Sequence, residues 1–541
     1  MADDKADLRT GGVRNWLPWL EIFRGFQVAL DLKKLLLAGG GILVMALGWW
    51  LLAVIFYDAF SHPPTRPTED QLREARDKTY DETDATRNEQ QQIAAEQRLL
   101  DDYQIQLRRY ELLGATAGKN GLMRTMPWDE ERGHNPFLVV TGLAANRGRV
   151  SDAIQLHVLL EPFYKFFQPI YYLLHSNAGW LNYIFFTLCF LWTLATWAIF
   201  GGALTRMATV QLARKEKISM GEALRFTLQR YMSYFTAPLF PLIFVLVIAV
   251  GLILFGILHM IPVLGDILVD GLGWPLVILA GLLMAVILVG LVGWPLMYAT
   301  ISTEGSDSFD ALSRSYSYVY QAPWLYLWNV AVALAYGCAL VLFVGFMGSF
   351  MVYLGKWGME QTPFMKAADR EPDYLFIYAP QSFGWRALLL ENARVEGRSL
   401  VIDGQIDPVN YVDYVSRLNW WNQAGAYLVG FWLHLVFLMI LGFSYSYFWV
   451  ASTIIYLLMR QRIDDTDLDE VYLEEDEGDE VYSASMPEPA EASGPVGLQM
   501  VDAPKLRTPE KPPEPAPTVP PTAESEAEKK PENPPAEGAE S

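Results

Sequence analysis

Two long apolar runs, separated by a short loop, decide the fold of this chain. Residues 238–258 read PLFPLIFVLVIAVGLILFGIL, and residues 274–300 read WPLVILAGLLMAVILVGLVGWPLMYAT. Neither run contains an Asp, Glu, Lys or Arg residue. A helix needs about 20 consecutive apolar residues to cross the hydrocarbon core, where every backbone polar group must be paired inside the helix. Each run therefore predicts a transmembrane helix.

Four further stretches meet the same criterion, at residues 35–57, 180–204, 324–353 and 425–458. The last two are long enough to tilt or to extend into the membrane interface. We therefore predict an all-α polytopic membrane protein with about six transmembrane helices. The polar segments between the spans predict α+β insertions outside the cytoplasm, and the C-terminus predicts a disordered tail.

The acidity of the chain is confined to that tail. The 541 residues carry a formal charge of −20, and residues 463–541 contain 22 Asp and Glu against 5 Lys and Arg, a charge of −17. Beyond its acidic start the tail is rich in Pro, Glu and Ala, which bury too little apolar surface to fold. A nucleic-acid interface needs clustered basic residues, so we expect no nucleic-acid partner.

Basic residues in the short loops predict the orientation. They precede the first span, fill residues 205–237 and close the last span, whereas the short loop 259–273 has none. Lys and Arg in short loops favour the cytoplasmic side, while long loops are translocated regardless of charge. We therefore predict a multi-pass protein of the inner membrane with both termini in the cytoplasm, and the long segments 58–179 and 354–424 outside it.

The predicted organisation combines these spans and loops. In chain order it comprises an N-terminal cytoplasmic or interfacial segment 1–34, the first span 35–57, an external helical segment 58–179, the second span 180–204, a basic cytoplasmic loop 205–237, the third span 238–258, a short external loop 259–273, the fourth span 274–300, a cytoplasmic interfacial helix 301–323, the fifth span 324–353, an external segment with short strands 354–424, the sixth span 425–458 and the acidic, proline-rich tail 459–541.

The two external segments have different patterns. Residues 69–113 predict a long polar helix with near-heptad apolar spacing in its second half, consistent with a short coiled coil, a helical hairpin or an isolated solvated helix. Residues 154–175 predict an amphipathic helix that lies along the membrane surface. Within residues 385–406, apolar runs separated by turn residues at 396–397 and 403–404 predict two or three short strands.

A short motif recurs before two of the spans. Residues 220–226 read MGEALRF, and residues 308–316 read SFDALSRSY. Each has an acidic residue, then Ala-Leu, then an Arg, an order that complements the dipole of an interfacial helix. The sequence thus predicts a weak internal repeat of interfacial helix and span.

These motifs carry a resemblance. Residues 218–328 resemble membrane regions of bacterial polytopic proteins of unknown function, and more distantly the membrane domain fused to some glycerophosphodiester phosphodiesterases. In those proteins Gly-x-Ala-Leu-Arg and Asp-Ala-Leu-x-Arg stretches recur before spans. No phosphodiesterase domain accompanies them here, so the resemblance implies a membrane fold without that activity. Residues 18–24, PWLEIFR, and the whole arrangement also resemble large membrane proteins of planctomycete-type bacteria.

Several residues within the spans are interpreted as packing residues. Cys189 and Cys338 lie in apolar runs, where a thiol acts as a small hydrophobe, so neither a disulfide nor a cysteine metal site is expected. Glycines 39–41 predict a close approach between helices. His434, an ionisable residue within a predicted span, is interpreted as a hydrogen-bonded packing or interface residue rather than part of a proton relay.

Two acidic features are the remaining candidates. Asp266 and Asp270 share a face if their loop is helical, but two carboxylates are too few for a closed metal site, which favours a re-entrant or interfacial helix with solvated carboxylates. The sequence Asp-Glu-Val-Tyr ends at Tyr472 and again at Tyr482. These tyrosines are candidate docking or phosphorylation sites for a cytoplasmic partner, and the alternative is a simple solvating tail.

No catalytic residue, cofactor or metal site is predicted from these patterns. We expect a non-enzymatic organiser or accessory component of the cell envelope. Its expected partners are the lipid bilayer, a cytoplasmic protein bound by the tail and an envelope protein bound by the external segments. A facilitator or lipid-handling transporter is the alternative, and a membrane-embedded enzyme is the third hypothesis.

Overall fold

The fold is helical in the part of the chain that the structure describes. The computed structural model describes residues 17–56, 66–77, 85–112, 123, 125–141, 156–175, 180–263, 265–363, 365 and 372–472. Within these residues, six helices are long and apolar enough to cross a membrane. The prediction of an all-α polytopic membrane protein is confirmed. The tail beyond residue 472, predicted to be disordered, lies outside the described residues.

The elements are numbered in chain order. The helices are α1 (Gly25–Ala29), α2 (Leu32–Phe56), α3 (Glu69–Asp77), α4 (Ala85–Leu112), α5 (Pro136–Thr141), α6 (Leu156–Leu159), α7 (Glu161–His175), α8 (Trp180–Arg214), α9 (Met220–Gln229), α10 (Tyr231–Thr236), α11 (Leu239–Ile257), α12 (Trp274–Gly290), α13 (Trp294–Glu304), α14 (Ser308–Gln321), α15 (Pro323–Glu360), α16 (Trp385–Leu389), α17 (Pro408–Ser416) and α18 (Trp420–Asp464). The strands are β1 (Arg394–Val395), β2 (Arg398–Ser399), β3 (Val401–Ile402) and β4 (Gln405–Ile406).

Shorter helical turns connect these elements. Short 3-10 helices cover Pro18–Arg24, Leu258–Met260, Leu291–Gly293, Pro372–Phe376 and Ser382–Gly384, and a π-helix covers Gly265–Leu272. The fourth predicted span is therefore α12 and α13 joined by the 3-10 turn Leu291–Gly293. Gly290 precedes this turn and Gly293 ends it. 

Two helices are much longer than their predicted spans. Helix α15 has 38 residues and α18 has 45 residues. At 1.5 Å per residue they measure about 57 Å and about 68 Å, roughly twice the 30 Å thickness of the hydrocarbon core. Both helices therefore continue beyond the membrane, where they support the segments between the spans.

Glycines let the central helices approach each other closely. A Cβ atom on Gly442 of α18 would lie 2.8 Å from the carbonyl oxygen of Leu35 in α2, and one on Gly41 would lie 3.0 Å from Phe200 of α8. Lipid provides no hydrophobic force that drives helices together, so close packing contacts such as these hold the helices in place. The predicted packing role of glycines 39–41 is confirmed by these contacts.

The hairpin of α11 and α12 is packed differently. These two helices contact each other, and most of their apolar side chains are exposed. In the most apolar stretch of each span, only 6% and 17% of the residues are buried. A helix that is apolar on every side and exposed in the protein is suited to lipid. The hairpin therefore stands apart from the central helices.

The repeated motifs begin two helices. Ser219 caps α9, where its side chain accepts the Glu222 N–H while the Glu222 carboxylate accepts the Ser219 N–H at 2.9 Å. Asp307 caps α14 by accepting the Asp310 N–H at 2.9 Å. In the first copy the short helix α10 follows α9 before Pro238 and the apolar helix α11, whereas in the second copy α14 leads directly to Pro323 and α15. The predicted order of short helix and span is therefore found in both copies.

Residues 372–418 have an apolar core of their own against the first half of α18. Together with residues 125–141, whose Trp128 carbonyl accepts the N–H groups of Gln381 and Ser382, they form what we call the loop domain. The turns at 396–397 and 403–404 have left-handed backbone, and they join β1 to β2 and β3 to β4 in two hairpins. All four strands lie within residues 394–406, and the apolar run at residues 387–390 is not a strand. That run belongs to α16 and the turn after it, because Trp385 is anchored in the core by donating to Ser349 Oγ at 2.8 Å.

The continuous helix predicted over residues 69–113 was also wrong. The structure has α3 and α4, which fold back and pack against each other, while the connection at 78–84 lies outside the described residues. Of the alternatives, the helical hairpin is confirmed. Polar composition alone did not show where the helix breaks.

Candidate functional site

Four charged side chains meet in the interior. Glu130 and Arg132 lie in the loop before α5, and Glu161 and Lys165 lie one turn apart on α7. None of the four is more than 5% exposed. The amphipathic helix predicted at residues 154–175 is present as α6 and α7, but the charged side chains of Glu161 and Lys165 lie in the protein interior rather than on its polar surface. We call these four residues the ionic cluster.

Arg132 is the centre of the ionic cluster. Its Nε donates to Glu161 Oε2 at 2.7 Å, and its Nη2 donates to Glu161 Oε1 at 2.8 Å and to Glu130. Its Nη1 donates to the Ser382 hydroxyl at 3.0 Å and to the Pro127 carbonyl. A guanidinium has five N–H donors, so every one of them has a protein acceptor. Arg132 thus has no donor left for a ligand.

Lys165 closes the ionic cluster from the other side. Its ammonium lies 2.7 Å from Glu161 Oε1 and donates to the two oxygens of Glu130 at 2.9 and 2.8 Å. Tyr445 of α18 donates its hydroxyl to Glu161 Oε1 at 3.2 Å. The cluster therefore joins the loop before α5, the helix α7 and a spanning helix.

The charges of the ionic cluster balance, with two cations and two carboxylates. Burial raises the pKa of Glu130 above its usual value, because its cationic neighbours only partly offset the loss of water. Burial also opposes ionisation of Glu161, but Arg132 and Lys165 outweigh it and hold the Glu161 pKa below its usual range. Glu130 is therefore the carboxylate that takes up a proton first.

The loop that carries Glu130 and Arg132 is held by backbone contacts. The Trp128 carbonyl accepts the N–H groups of Gln381 and Ser382, both at 2.9 Å. His157 Nε2 lies 3.0 Å from the Arg132 carbonyl oxygen, within hydrogen-bonding distance. These contacts tie the loop domain to α6 and fix the Arg132 side chain where the carboxylates meet it.

Aromatic rings fill the bundle beneath the ionic cluster. Phe166 of α7 stacks on Trp294 with ring centroids 4.0 Å apart, and Trp197 stacks on Tyr445 at 5.1 Å. Trp449 packs against Tyr298 at 4.9 Å. Trp294 Nε1, Tyr298 OH and Trp449 Nε1 have no hydrogen-bond partner among the described residues. The centre of the bundle is thus tightly packed but keeps three unsatisfied polar atoms.

A second charged group lies where α18 ends, at what we call the tail-end face. Glu304 accepts from Tyr456 OH at 2.7 Å and from Arg314 Nη1 at 2.9 Å, and it lies 3.2 Å from Arg460 Nε. A cavity of about 580 Å³ adjoins this group and is also lined by Tyr472. Tyr456 and Arg460 are separated by about 20 Å of helix from the level of Tyr445, so the two charged groups lie at different depths.

The predicted site residues are dispersed over the molecule. His434 Nδ1 lies 2.5 Å from the Gly430 carbonyl oxygen, and the imidazole packs edge-on against the Trp128 ring with centroids 4.7 Å apart. A packing role is thus confirmed for it. Asp266 is exposed on the π-helix, and the side chain of Asp270 lies outside the described residues, so the shared face is not tested.

The two tail tyrosines differ in what the structure describes. Tyr472 is half-buried on the tail-end face, where its backbone N–H donates to the Thr303 carbonyl at 2.9 Å. It is docked rather than freely solvated. Tyr482 lies outside the described residues. Within the described ranges no group of three or more His, Cys, Asp and Glu residues is placed to hold a metal ion.

The sequence did contain a signal for the ionic cluster. Glu161 and Lys165 are one helical turn apart in a helix that otherwise presents Phe163, Phe166 and Phe167. Charged residues amid aromatic ones in a membrane protein indicate buried, paired groups. The partners at residues 130 and 132 lie about 30 residues away, and no spacing rule connects them to α7.

Comparisons with known proteins add no assignment. No family model matches the chain, and no curated protein or solved structure is significantly similar to it.

Proposed function

We propose that the protein is a non-enzymatic scaffold of the bacterial inner membrane that organises other envelope components. In this proposal both termini are cytoplasmic, the loop domain lies outside the cytoplasm, and the two sides offer separate contact surfaces. The observation that carries the proposal is the ionic cluster, in which Arg132 has every donor bound by protein. Its groups serve to hold the loop domain against the spanning helices.

Rigid attachment is useful for a scaffold. A binding surface that is already ordered loses less conformational entropy when a partner docks. The loop domain is fixed at two points, by the ionic cluster and by Lys356 of α15, whose ammonium lies 2.7 Å from Asp373 and donates to the Leu389 carbonyl at 2.6 Å. Both points join the loop domain to helices that span the membrane.

Helix α17 supplies the contact surface that we propose. Val409 and Val412 are 72% and 66% exposed, and three residues apart they share one face of this helix. The helix precedes Trp420, which lies about 60 Å along α18 from Arg460 at the other end, twice the hydrocarbon thickness. Exposed apolar residues that are not covered by lipid favour a protein contact.

Photocrosslinking in native membranes tests this proposal. A benzoylphenylalanine placed at Val412 should give one adduct of defined mass, and the same probe at the exposed Gln405 of β4 should not. Equal labelling from both positions would count against a specific contact. Transport of a solute by the purified chain in vesicles, abolished by substitutions in the spans, would overturn the scaffold function.

A facilitator or lipid-handling transporter is the second candidate. It is favoured by the three unsatisfied polar atoms of Trp294, Tyr298 and Trp449, which offer hydrogen bonds at the centre of the bundle. The buried, unpaired hydroxyl of Tyr298 provides the test. If this candidate is correct, Tyr298→Phe changes the flux of a polar solute through vesicles, with Tyr320→Phe at the exposed edge as the control.

A further inference from the structure

The cavity on the tail-end face is lined by residues with unsatisfied hydrogen-bonding groups. Thr303 is fully buried, and neither its hydroxyl nor that of Ser306 has a hydrogen-bond partner among the described residues. Arg460 Nε lies 3.2 Å from Glu304 Oε1 but without hydrogen-bonding geometry. Buried polar groups are normally paired, because an unpaired one has lost its bonds to water. Three donors around one cavity can therefore all bond to a ligand there.

The cavity also has a cation that is not already neutralised. Arg314 pairs with Glu304 at 2.9 Å and with Asp310 at 3.3 Å, so these charges balance within the protein. Arg214 lines the cavity from the end of α8, and it makes no ion pair within the part of the chain that the structure describes. An anionic ligand would give this guanidinium its partner.

The kind of anion follows from the donors. Two guanidinium groups and two hydroxyls, from Arg214, Arg460, Thr303 and Ser306, can donate hydrogen bonds, and a ligand that accepts from them needs several oxygens. A phosphate monoester carries a charge of about −1.5 to −2 and three strong acceptor oxygens. Guanidinium groups bind phosphate with charge-assisted hydrogen bonds. The lining of the cavity is therefore suited to a phosphate monoester.

The start of the tail forms one wall of the cavity. Glu470, Val471 and Tyr472 all line it. Arg460 Nη1 donates to the Glu470 carbonyl at 2.6 Å, the Tyr472 N–H donates to the Thr303 carbonyl at 2.9 Å, and Val471 is buried. Because these contacts fix the wall, little conformational entropy is lost when a ligand enters.

The cavity lies where membrane helices end. Two of the six spans end at residues that line it, Arg214 and Glu304. Helix α14, which also lines it, packs against the lipid-exposed hairpin, where Phe309 stacks on Phe240 at 4.3 Å and Tyr316 donates to a carbonyl of α12 at 2.6 Å. Basic pockets between membrane helices at this level bind the phosphates of lipid headgroups.

We propose that this cavity is a binding site for one phosphate monoester. Arg214 supplies the charge, and Thr303, Ser306 and Arg460 supply hydrogen bonds. At about 580 Å³ the cavity also accommodates the group that carries the phosphate. That group can belong to a lipid or to a soluble ester, because both present the same phosphate.

Thermal unfolding of the full-length chain, purified in a neutral detergent, tests the proposal. A ligand that binds the folded state raises the unfolding midpoint, and the concentration dependence gives its dissociation constant. Dioctanoyl phosphatidic acid is the lipid probe, and glycerol 3-phosphate presents the same phosphate without acyl chains. Dioctanoyl phosphatidylcholine, which has no monoester, is the control. At least one of the two monoesters should raise the midpoint saturably, and phosphatidylcholine should not.

Two variants and a matched control assign the binding to this cavity. Arg214→Gln should weaken the affinity by about tenfold or more, the loss expected for a charge-assisted hydrogen bond. Lys215→Gln removes a neighbouring exposed charge that does not line the cavity, so the affinity should stay the same. Thr303→Val removes an unpaired hydroxyl and keeps the shape. It should weaken binding without lowering the midpoint of the ligand-free chain.

The outcomes separate the source of the phosphate from the existence of the site. Tighter binding of phosphatidic acid assigns a lipid, and tighter binding of glycerol 3-phosphate assigns a soluble ester. Equal shifts with phosphatidylcholine, or equal losses in Arg214→Gln and Lys215→Gln, would overturn the proposal. A lower midpoint for ligand-free Thr303→Val would show that the hydroxyl serves the fold instead. The scaffold function is tested separately by the Val412 crosslink, so either proposal can fail while the other stands.

Discussion

Removing Arg132 is the sharpest test of the ionic cluster. Arg132→Leu deletes five hydrogen bonds and leaves the buried carboxylates of Glu130 and Glu161 with Lys165 as their shared cation. Breaking a buried ion pair by removing one partner costs about 3–5 kcal/mol, because an uncompensated charge remains inside. Since Arg132 serves two carboxylates, we expect a loss in the free energy of unfolding of about 4–5 kcal/mol at pH 8.

The loss should depend on pH in a defined direction. Without the guanidinium, burial dominates at both Glu130 and Glu161, and the pKa of each carboxyl in the folded state rises above its unfolded value of about 4.3. A group with a raised folded pKa retains its contribution to stability below the unfolded pKa and loses it as pH rises through the folded pKa. The deficit of Arg132→Leu relative to the unmodified chain should thus be larger at pH 8 than at pH 5.

Denaturation of the purified full-length chain in detergent, followed by tryptophan fluorescence, measures this deficit. Arg398→Leu is the matched control, because Arg398 pairs with Glu396 at 3.2 Å on an exposed surface. Exposed pairs of this kind contribute little to stability, so no measurable change is expected. If Arg132→Leu were as well tolerated as the control, or if its deficit grew toward pH 5, the assigned role of the cluster would be refuted.

Three further predictions use the same protein. Gly442→Ala places a Cβ atom 2.8 Å from a backbone oxygen and should destabilise the chain by about 1–3 kcal/mol in the same denaturation assay. Gly251→Ala, which has open space around it, is the control and should leave the stability unchanged. Equal effects of the two substitutions would contradict the packing argument. Glu161 has a depressed folded pKa, so its stabilisation is fully present above the unfolded value of about 4.3 and is lost as pH falls below it. The deficit of Glu161→Gln should therefore be constant between pH 6 and 8 and shrink below about pH 4, and a deficit that instead grew in acid would be inconsistent with this. In intact cells an impermeant maleimide should label Ser416→Cys but label Lys217→Cys only after lysis, and the reverse pattern would invert the proposed orientation.

The spans were predictable because one property decides them. An uncharged run such as residues 238–258 has to be a membrane helix whatever surrounds it, since no other backbone structure satisfies its polar groups in lipid. The ends of α15 and α18 were less predictable. Whether a helix stops at the interface or continues depends on what packs against its extension, and at Lys356 that is the carboxylate of Asp373 in the 3-10 helix Pro372–Phe376.

The partners that complete the ionic cluster could not be predicted for a related reason. An amphipathic helix on a membrane surface and a helix packed into a bundle have the same periodicity, because both bury one face. The distinction depends on whether the charges of Glu161 and Lys165 meet water or opposite charges. Arg132 supplies those charges from a loop, and only the three-dimensional fold brings them together.

The tail motif shows the complementary case. Its repetition was visible in the sequence, and a docking role for Tyr472 was among the hypotheses. The surface that receives it was not visible, because Phe226, Arg230 and Thr303 come from separate segments whose side chains meet only when α8, α9 and α13 pack.

The ionic cluster is more informative about specificity than about stability. A buried, neutral set of charges often contributes no more than well-packed apolar residues would, but it is costly to form with any partner missing. Apolar contacts between the aromatic faces of α7 and the bundle tolerate shifts along the helix, whereas the five bonds of Arg132 require Glu161, Glu130, Pro127 and Ser382 to be in place together. These partners come from the loop domain and from α7, so the cluster forms only when the loop domain sits correctly on the membrane helices. A scaffold needs its parts in one fixed arrangement, and a cluster that forms only in that arrangement helps to secure it. The ionic cluster is therefore an argument for the proposed scaffold function.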